Sequence, residues 1–232
     1  MSKTNEIATI FKRPTVKICG LSTPAAGIAG AEAGASLIGF TFVEQSPRCV
    51  RASAAAALAG AIRKSTPVAP HFVGLFVDAD DETMRQAVPH IDAIQCHGSE
   101  TPERVLEIKK QFALPVIKAL PIGEEKDVQS AIAFEECADA LLFDAQPPEG
   151  ATTSGGNGEV FDWSLLTGYS GKTPYLLAGG LTPSNVAEAI SMLVQQSAFI
   201  GVDVSSGVEA RKGIKDLGKV RTFTHAALDA FA

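Results

Sequence analysis

The sequence predicts a single-domain (β/α)₈ barrel. Eight short apolar runs alternate with longer segments of helical pattern along the 232 residues. Each strand–helix pair takes roughly 30 residues, in keeping with the about 250 residues of a complete barrel. Most of the runs are apolar throughout, which is typical of parallel strands buried on both faces.

The predicted elements follow one another without a linker. The strands cover residues 16–19, 37–42, 72–77, 93–96, 115–119, 140–143, 175–178 and 199–202. The helices cover residues 23–34, 53–64, 81–88, 102–111, 125–136, 184–195 and part of 213–231, with a short helical stretch at 163–166. We expect residues 1–13 to form a loose N-terminal extension and residues 14–232 to form the barrel domain.

The alternative fold, a doubly wound parallel sheet, is less well supported. Such a sheet usually has fewer strands and a G-x-G-x-x-G motif directly after the first. Here the first strand continues into "CGLSTPAAGIAG", and "GGNGEVF" at residues 155–161 has no third glycine at the required place. The sequence therefore gives no good support for dinucleotide binding.

Composition narrows the range of partners. A net charge of −6 with no basic run argues against nucleic-acid binding. No apolar stretch reaches the about 18 residues of a membrane span, and the N-terminus lacks the apolar segment of a secretory signal. The four cysteines form no CxxC pair and have no metal-ligand spacing, so we expect no metal site and free thiols in the cytoplasm.

Polar residues cluster where a barrel of this kind carries its active site, at the carboxyl ends of the strands. The first strand ends in Cys19–Gly20, the third is followed by Asp78, the fourth ends in "QCHG" and the sixth is followed by Asp144. A buried cysteine alone is more often a small core residue than a catalyst, and a lone aspartate at this place could simply cap the next segment.

The ends of the seventh and eighth strands predict a phosphate site. "AGGLTPSN" contains Gly179 and Gly180, and "DVSSG" contains Ser205, Ser206 and Gly207. The loops after these two strands are the usual phosphate site of the fold, built from backbone N–H groups. Either loop alone is explained as an ordinary turn, but together they favour phosphate binding.

These motifs resemble one family over nearly the whole chain. The segments "KICG", "GFTFVEQSPRCV", "VGLFVD", "IQCHG", "LLFDA", "GGNGEVFDW", "LLAGGLTPSNV" and "GVDVSSGVE…GIKD" occur in the order and spacing of phosphoribosylanthranilate isomerases. The resemblance extends from about residue 16 to residue 223. It implies an Amadori rearrangement of N-(5-phosphoribosyl)anthranilate to a 1-amino-1-deoxyribulose phosphate in tryptophan biosynthesis, without a cofactor.

The resemblance also assigns roles to individual residues. It implies Cys19 as general base, Asp144 as general acid and Arg48 as the ligand of the anthranilate carboxylate, with phosphate on the two loops. This chain departs from the family pattern at Cys96, where leucine is usual, and at Asn157, where threonine is usual. The first change would bring a second thiol near the site, and the second leaves the loop after strand six less certain.

The chemistry sets requirements on these groups. Cys19 must be a thiolate to act as a base, and Lys17, two residues earlier on the strand, is a candidate for the positive charge that favours this form. Asp144 must be protonated to act as an acid. His97 and Asp203 are expected to border the substrate. His97 is interpreted as a hydrogen-bonded structural histidine, and Asp203 as orienting its loop or contacting a ribose hydroxyl.

Three other functions stay open at this point. A non-catalytic barrel that binds a phosphorylated ligand would not need Cys19, Asp144 and Arg48. An indole-3-glycerol-phosphate synthase would call for a lysine acid near the barrel mouth. An isomerase that also accepts a second sugar phosphate, as in histidine synthesis, is compatible with the same residues. The protein is expected to be a monomer or a homodimer.

Overall fold

The computed structural model, which describes residues 10–147 and 161–232, contains a closed barrel of eight parallel strands. Neighbouring strands are consecutive in the chain, and β1 closes the barrel by pairing with β8. The strands are β1 (Thr15–Ile18), β2 (Leu37–Thr41), β3 (His71–Phe76), β4 (Ala93–Cys96), β5 (Val116–Ile122), β6 (Ala140–Ala145), β7 (Tyr175–Leu177) and β8 (Phe199–Val204). The predicted fold class is confirmed.

Helices surround this barrel in the predicted order. They are α1 (Pro24–Glu32), α2 (Ala52–Ser65), α3 (Asp81–Ala87), α4 (Pro102–Phe112), α5 (Glu125–Ser130), α6 (Val186–Leu193) and α7 (Leu217–Phe231). Short 3₁₀ helices span Val88–His90, Ala131–Phe134, Trp163–Gly168 and Ser206–Val208. The predicted helix at 125–136 is thus an α-helix of one and a half turns followed by a 3₁₀ turn.

Two layers of apolar side chains form the core. The larger cluster lies between the barrel wall and the helices, and it includes Ile94 and Cys96 of β4 together with Val105 and Ile108 of α4. The smaller cluster fills the barrel interior. Its members from the strands are Leu37, Val73, Ala93, Ile117, Ala119, Ala140, Leu142, Leu176 and Ile200. Because strand side chains alternate between faces, this cluster identifies which residues point inward.

The N-terminal segment is partly packed on the barrel. Ile10 and Phe11 are 5% and 7% exposed and belong to the interior cluster. They precede β1, so they cover the end of the barrel at which the strands begin. These two residues were expected to be loose and are instead buried, because their apolar side chains pack in the interior cluster and are thereby removed from water. The domain boundary near residue 14 stays a prediction.

The sequence patterns did not predict one element, a short β-hairpin after the last barrel strand. A small antiparallel hairpin, β9 (Glu209–Arg211) with β10 (Ile214–Lys215), follows β8. It stands at the carboxyl end of the barrel strands, where the predicted site residues lie.

Within the described parts of the chain, no helix has the length and apolar character needed to cross a membrane.

Candidate active site

Cys19 lies directly after β1 and points into the barrel mouth. Its N–H donates to the carbonyl of Val204 at 2.8 Å, and the next residue, Gly20, donates to the carbonyl of Gly39 at 2.9 Å. These bonds to both neighbouring strands fix the backbone around the thiol. Cys19 shares the inward face of the strand with Lys17, which is paired in register with Leu37 of the interior cluster.

Lys17 and Asp203 form a buried ion pair beneath the thiol. The Lys17 Nζ atom is 2.9 Å from Asp203 Oδ1, and the lysine side chain is 0% exposed. Burial opposes the charge of Lys17, but Asp203 and the side chain of Cys19 more than compensate, so the pKa of Lys17 is raised. Asp203, predicted to border the substrate, is thus also the counter-ion of this lysine.

The Cys19 thiol experiences two opposing effects. Burial raises its pKa, and the Lys17 ammonium, which also hydrogen-bonds the sulfur, lowers it. Burial is the larger effect, so the pKa of Cys19 lies above its ordinary value. The positive charge expected beside the thiol is therefore present, but it does not make the thiolate the resting form.

Asp144 faces the mouth from β6 and is held on both oxygens. Oδ1 accepts the N–H of Ala145 at 2.9 Å, and Oδ2 lies 3.3 Å from His97 Nε2. The other ring nitrogen of His97, Nδ1, is 3.0 Å from Nε2 of Gln95. His97 is therefore hydrogen-bonded as expected, and one of its partners is the predicted acid.

The Arg48 side chain passes over Gly20, at the start of the loop after β1, and reaches the hairpin of β9 and β10. Its Nε and Nη2 atoms pair with the two carboxylate oxygens of Glu209 at 2.7 and 3.1 Å. A side chain at Gly20 would collide with this arginine, since a Cβ there would lie 2.5 Å from Arg48 Cδ. The absence of a side chain at Gly20 therefore leaves room for Arg48 beside the end of β1. The predicted carboxylate ligand is buried and held in place.

Lys215 offsets part of the negative charge on Glu209. Its Nζ is 3.0 Å from Glu209 Oε1 and also donates to the carbonyl and the hydroxyl of Ser205, at 2.9 and 3.2 Å. Burial would raise the pKa of Glu209, yet Arg48 and Lys215 together lower it. The arginine, the hairpin and the eighth strand end thus form one connected cluster.

The two predicted phosphate loops meet each other. Gly179 and Gly180 have φ values of 82° and 60°, in the left-handed region that favours glycine. Gly207, which follows Ser206 in the 3₁₀ turn, packs so closely that a Cβ would lie 1.9 Å from the carbonyl oxygen of Leu181. The Ser205 hydroxyl donates to the carbonyl of Cys19 at 3.2 Å. The predicted phosphate loops and the predicted base are therefore directly linked.

Another buried ion pair lies behind the fourth strand end. Lys118 Nζ is 2.8 Å from Glu100 Oε2, and the two side chains are 2% and 3% exposed. Lys118 also donates to the carbonyl of Gly98 at 2.7 Å, and Glu100 accepts the Gly98 N–H at 2.9 Å. The residue after His97 is therefore held from both sides. Sequence reasoning did not identify this pair.

The extra thiol of this chain does not face the site. Cys96 is fully buried in the outer core, on the opposite face of β4 from Gln95. Burial raises its pKa to about 12. The expectation of a second thiol near the active site was wrong, because the alternation of the strand turns this position toward the helices.

Some expectations concern parts of the chain without a described structure. Asn157 and most of the "GGNGEVFDW" motif lie outside the described residues.

All four cysteines are free thiols, and Cys49 is exposed. Among the described residues, no group of His, Cys, Asp and Glu side chains is arranged to hold a metal ion.

Sequence comparison identifies similar proteins of one activity. Residues 16–226 match the model of the N-(5′-phosphoribosyl)anthranilate isomerase family. A protein of this name from Rhodospirillum rubrum is 49% identical, covering 91% of this chain and 96% of the relative. Another from Paracoccus denitrificans is 47% identical, covering 90% and 94%.

Solved structures give the same result. The isomerase of this name from Thermotoga maritima superimposes with a TM-score of 0.77 at 31% identity, covering 93% of this chain and 98% of the other. A second isomerase structure, with a TM-score of 0.74 and 30% identity, contains reduced 1-(o-carboxyphenylamino)-1-deoxyribulose 5-phosphate. It covers 93% of this chain and 98% of the other.

Proposed function

This chain belongs to the N-(5′-phosphoribosyl)anthranilate isomerase family, and we propose that Cys19 is the general base of the reaction and Asp144 its general acid. The enzyme converts N-(5′-phosphoribosyl)anthranilate into 1-(2-carboxyphenylamino)-1-deoxyribulose 5-phosphate, an Amadori rearrangement in tryptophan biosynthesis. The observation that supports these roles is that Cys19 and Asp144 both project into the barrel mouth, from the ends of β1 and β6.

Asp144 starts the reaction by giving a proton to the ring oxygen of the ribose. The C1–O bond breaks as the nitrogen lone pair of the anthranilate forms an iminium ion. The carboxylate left on Asp144 is then stabilised by hydrogen bonds from the Ala145 N–H and from His97. These partners are already in position in the protein, so little reorganisation accompanies the proton transfer.

Cys19 then removes the proton at C2 of the open sugar, which gives an enolamine. This enolamine is a tautomer of the aminoketone product: C1 gains a proton as the C2 hydroxyl loses one. The proton that Cys19 takes from C2 balances the proton that Asp144 gave to the ring oxygen, and a proton passing from the thiol back to Asp144 restores the enzyme. The base must be ionised, and Lys17 is the group beneath it that favours the thiolate. The raised pKa of Cys19 fits a thiol whose thiolate is a minor form before substrate arrives.

The substrate is held at both ends by the groups that surround this pair. We infer that Arg48, oriented by Glu209, contacts the anthranilate carboxylate. The phosphate is bound between Gly179–Gly180 and Ser205–Gly207, whose close approach supports a single cradle. Asp203 and His97 border the ribose, and each also orders a catalytic group. With the phosphate of the substrate held at one end and its anthranilate carboxylate at the other, the ribose atoms C1 and C2 lie over the barrel mouth.

Two variants test the assignment of base and acid. Cys19→Ser keeps the shape but introduces a hydroxyl too basic to ionise near neutral pH, and Asp144→Asn removes the transferable proton. Each should lower kcat by about 10²–10⁴-fold while product binding is retained. The rate is measured as loss of substrate fluorescence. Cys49→Ser, at an exposed position, is the matched control. Near-normal turnover by Cys19→Ser would mean that the base is elsewhere.

We further infer that the enzyme works in the cytoplasm, without nucleic acid or membrane partners, as a monomer or a homodimer. Four free thiols favour a reducing compartment. The net charge of −6 disfavours binding to phosphate backbones. A related structure is described as monomers generated from a dimeric isomerase of Thermotoga maritima, so a dimer is one of the states to test by light scattering.

A further inference from the structure

A buried amide stands behind the predicted acid. Gln95, in the middle of β4, is 0% exposed and shares the inward face of the strand with His97. Its Nε2 atom lies 3.0 Å from His97 Nδ1, and His97 Nε2 lies 3.3 Å from Asp144 Oδ2. The Oε1 atom of Gln95 is buried with no hydrogen-bond partner among the described residues. Among the described residues, the hydrogen-bond partner of this buried side chain is therefore His97.

The direction of each hydrogen bond follows from the acid. Once Asp144 has given up its proton it is a carboxylate, which can only accept. His97 Nε2 must then carry a hydrogen, so the other nitrogen of a neutral ring, Nδ1, must accept. The partner of Nδ1 is the amide nitrogen of Gln95, which can only donate. Gln95 at one end of this series of hydrogen bonds and Asp144 at the other therefore require the same state of His97, with its hydrogen on Nε2.

We propose that Gln95 is a positioning residue that keeps His97 neutral, with its hydrogen on Nε2, so that Asp144 retains a transferable proton. This inference rests on the proposed role of Asp144. A neutral imidazole offers the departing carboxylate a hydrogen bond without a charge. An imidazolium at the same place would hold Asp144 ionised before the substrate arrives, and the acid would be lost. A donor fixed on Nδ1 leaves no lone pair for that second proton.

Two substitutions of similar size separate this role from packing. Gln95→Glu places a carboxylate at Nδ1, which accepts a hydrogen bond and so favours the doubly protonated ring. Gln95→Met removes the donor without adding a charge. We expect kcat to fall by about 100-fold or more in Gln95→Glu, as for loss of a general acid. In Gln95→Met the loss should be about tenfold, the equivalent of one hydrogen bond. KM should change little in both.

The protonation of His97 is read directly by nitrogen NMR on protein with ¹⁵N-labelled histidine. The chain has four histidines, and a His97→Asn variant assigns the signals of interest. Wild type should show a neutral ring with hydrogen on Nε2, and Gln95→Glu should show hydrogen on both nitrogens. The matched control is Cys96→Ala, on the opposite face of the same strand, which should keep the wild-type signals and rate.

The outcomes distinguish this proposal from the one on which it rests. A hydrogen on Nδ1 of His97 in the wild-type enzyme overturns it, and this result does not depend on whether a Gln95 variant folds. Full activity of Gln95→Glu also overturns it, provided that Asp144→Asn, measured in parallel, is inactive. If Asp144→Asn itself is fully active, the assignment of the acid is wrong, whatever the state of His97.

Discussion

Replacing Lys17 by methionine should separate the stability of the barrel from the activation of Cys19, the proposed base. The Lys17 ammonium is fully buried, lies 2.9 Å from Asp203 Oδ1 and hydrogen-bonds the side chain of Cys19. Methionine has a similar length and no charge. The substitution therefore leaves Asp203 buried without its cation and removes the positive charge from the thiolate.

The two losses have different sizes. Removing one partner of a buried ion pair costs about 3–5 kcal/mol of stability. A hydrogen bond to a charged group is worth about 1.5–3 kcal/mol, which corresponds to a roughly 10- to 150-fold lower kcat if it is lost in the proton-transfer step. Burial already raises the pKa of Cys19 and Lys17 opposes it, so the pKa should rise further in the variant.

The double variant Lys17→Met/Asp203→Asn makes the test decisive. Removing the second charge should restore most of the free energy of unfolding in urea, because no unpaired ion is left in the core. The rate should stay low, since the thiolate still lacks its cation. The pKa of Cys19 is followed by the ultraviolet absorbance of the thiolate, with the other three cysteines replaced. If kcat recovers together with stability, Lys17 acts on folding alone and the reasoning is refuted.

Four further outcomes are expected. Gly180→Val should raise KM, because a branched side chain disfavours the backbone φ of 60° at this position of the proposed phosphate loop. An unchanged affinity for the product, measured by calorimetry, would contradict this. Arg48→Lys should weaken substrate binding but not that of an analogue without the carboxylate, since lysine lacks the planar fork. Cys96→Ser should stay active, and an alkylating agent should inactivate it with the pH dependence of wild type; an inactive Cys96→Ser together with a normally active Cys19→Ser would move the base to strand four. Glu100→Gln should lose about 3–5 kcal/mol of stability at neutral pH, the cost of unpairing buried Lys118. Although burial opposes it, Lys118 lowers the pKa of Glu100 from 4.5, so the stabilisation is present above that value and lost as pH falls through the lower folded value. A difference between variant and wild type that did not narrow in acid would contradict the assignment.

The fold was predictable because its signals are local. An apolar run of strand length, a glycine and a helical pattern are each visible within a few residues, and the run at Ala93–Cys96 was predicted with the bounds observed. The predicted base and acid were visible for the same reason, since both stand where an apolar strand ends. Their roles needed the family resemblance, because neither residue type is diagnostic alone.

The partners of the site residues were not predictable in the same way. Lys17 and Asp203 are 186 residues apart in the sequence, and Arg48 and Glu209 are 161 apart. Such pairs form only when the barrel closes, and a carboxylate in a loop gives no sign of which cation it will meet. A weaker signal was present, however. Lys17, Gln95 and Lys118 each interrupt an apolar strand, and a polar side chain in a buried strand requires a partner.

The buried ion pairs of this barrel are better explained by geometry than by stability. Taking two charges out of water costs about as much as their attraction returns, so an apolar pair would hold the fold as well. Each pair nevertheless lies directly behind a group to which we assign a role in the reaction. Lys17 and Asp203 lie beneath Cys19, Glu209 and Lys215 fix Arg48, and Lys118 and Glu100 hold the peptide groups that follow His97. Ionic contacts have a narrow range of favourable distances and angles, whereas apolar packing tolerates small shifts. The charges inside this barrel are therefore best explained as supports that keep three groups aligned over one mouth: the proposed base, the proposed carboxylate ligand and the partner of the proposed acid.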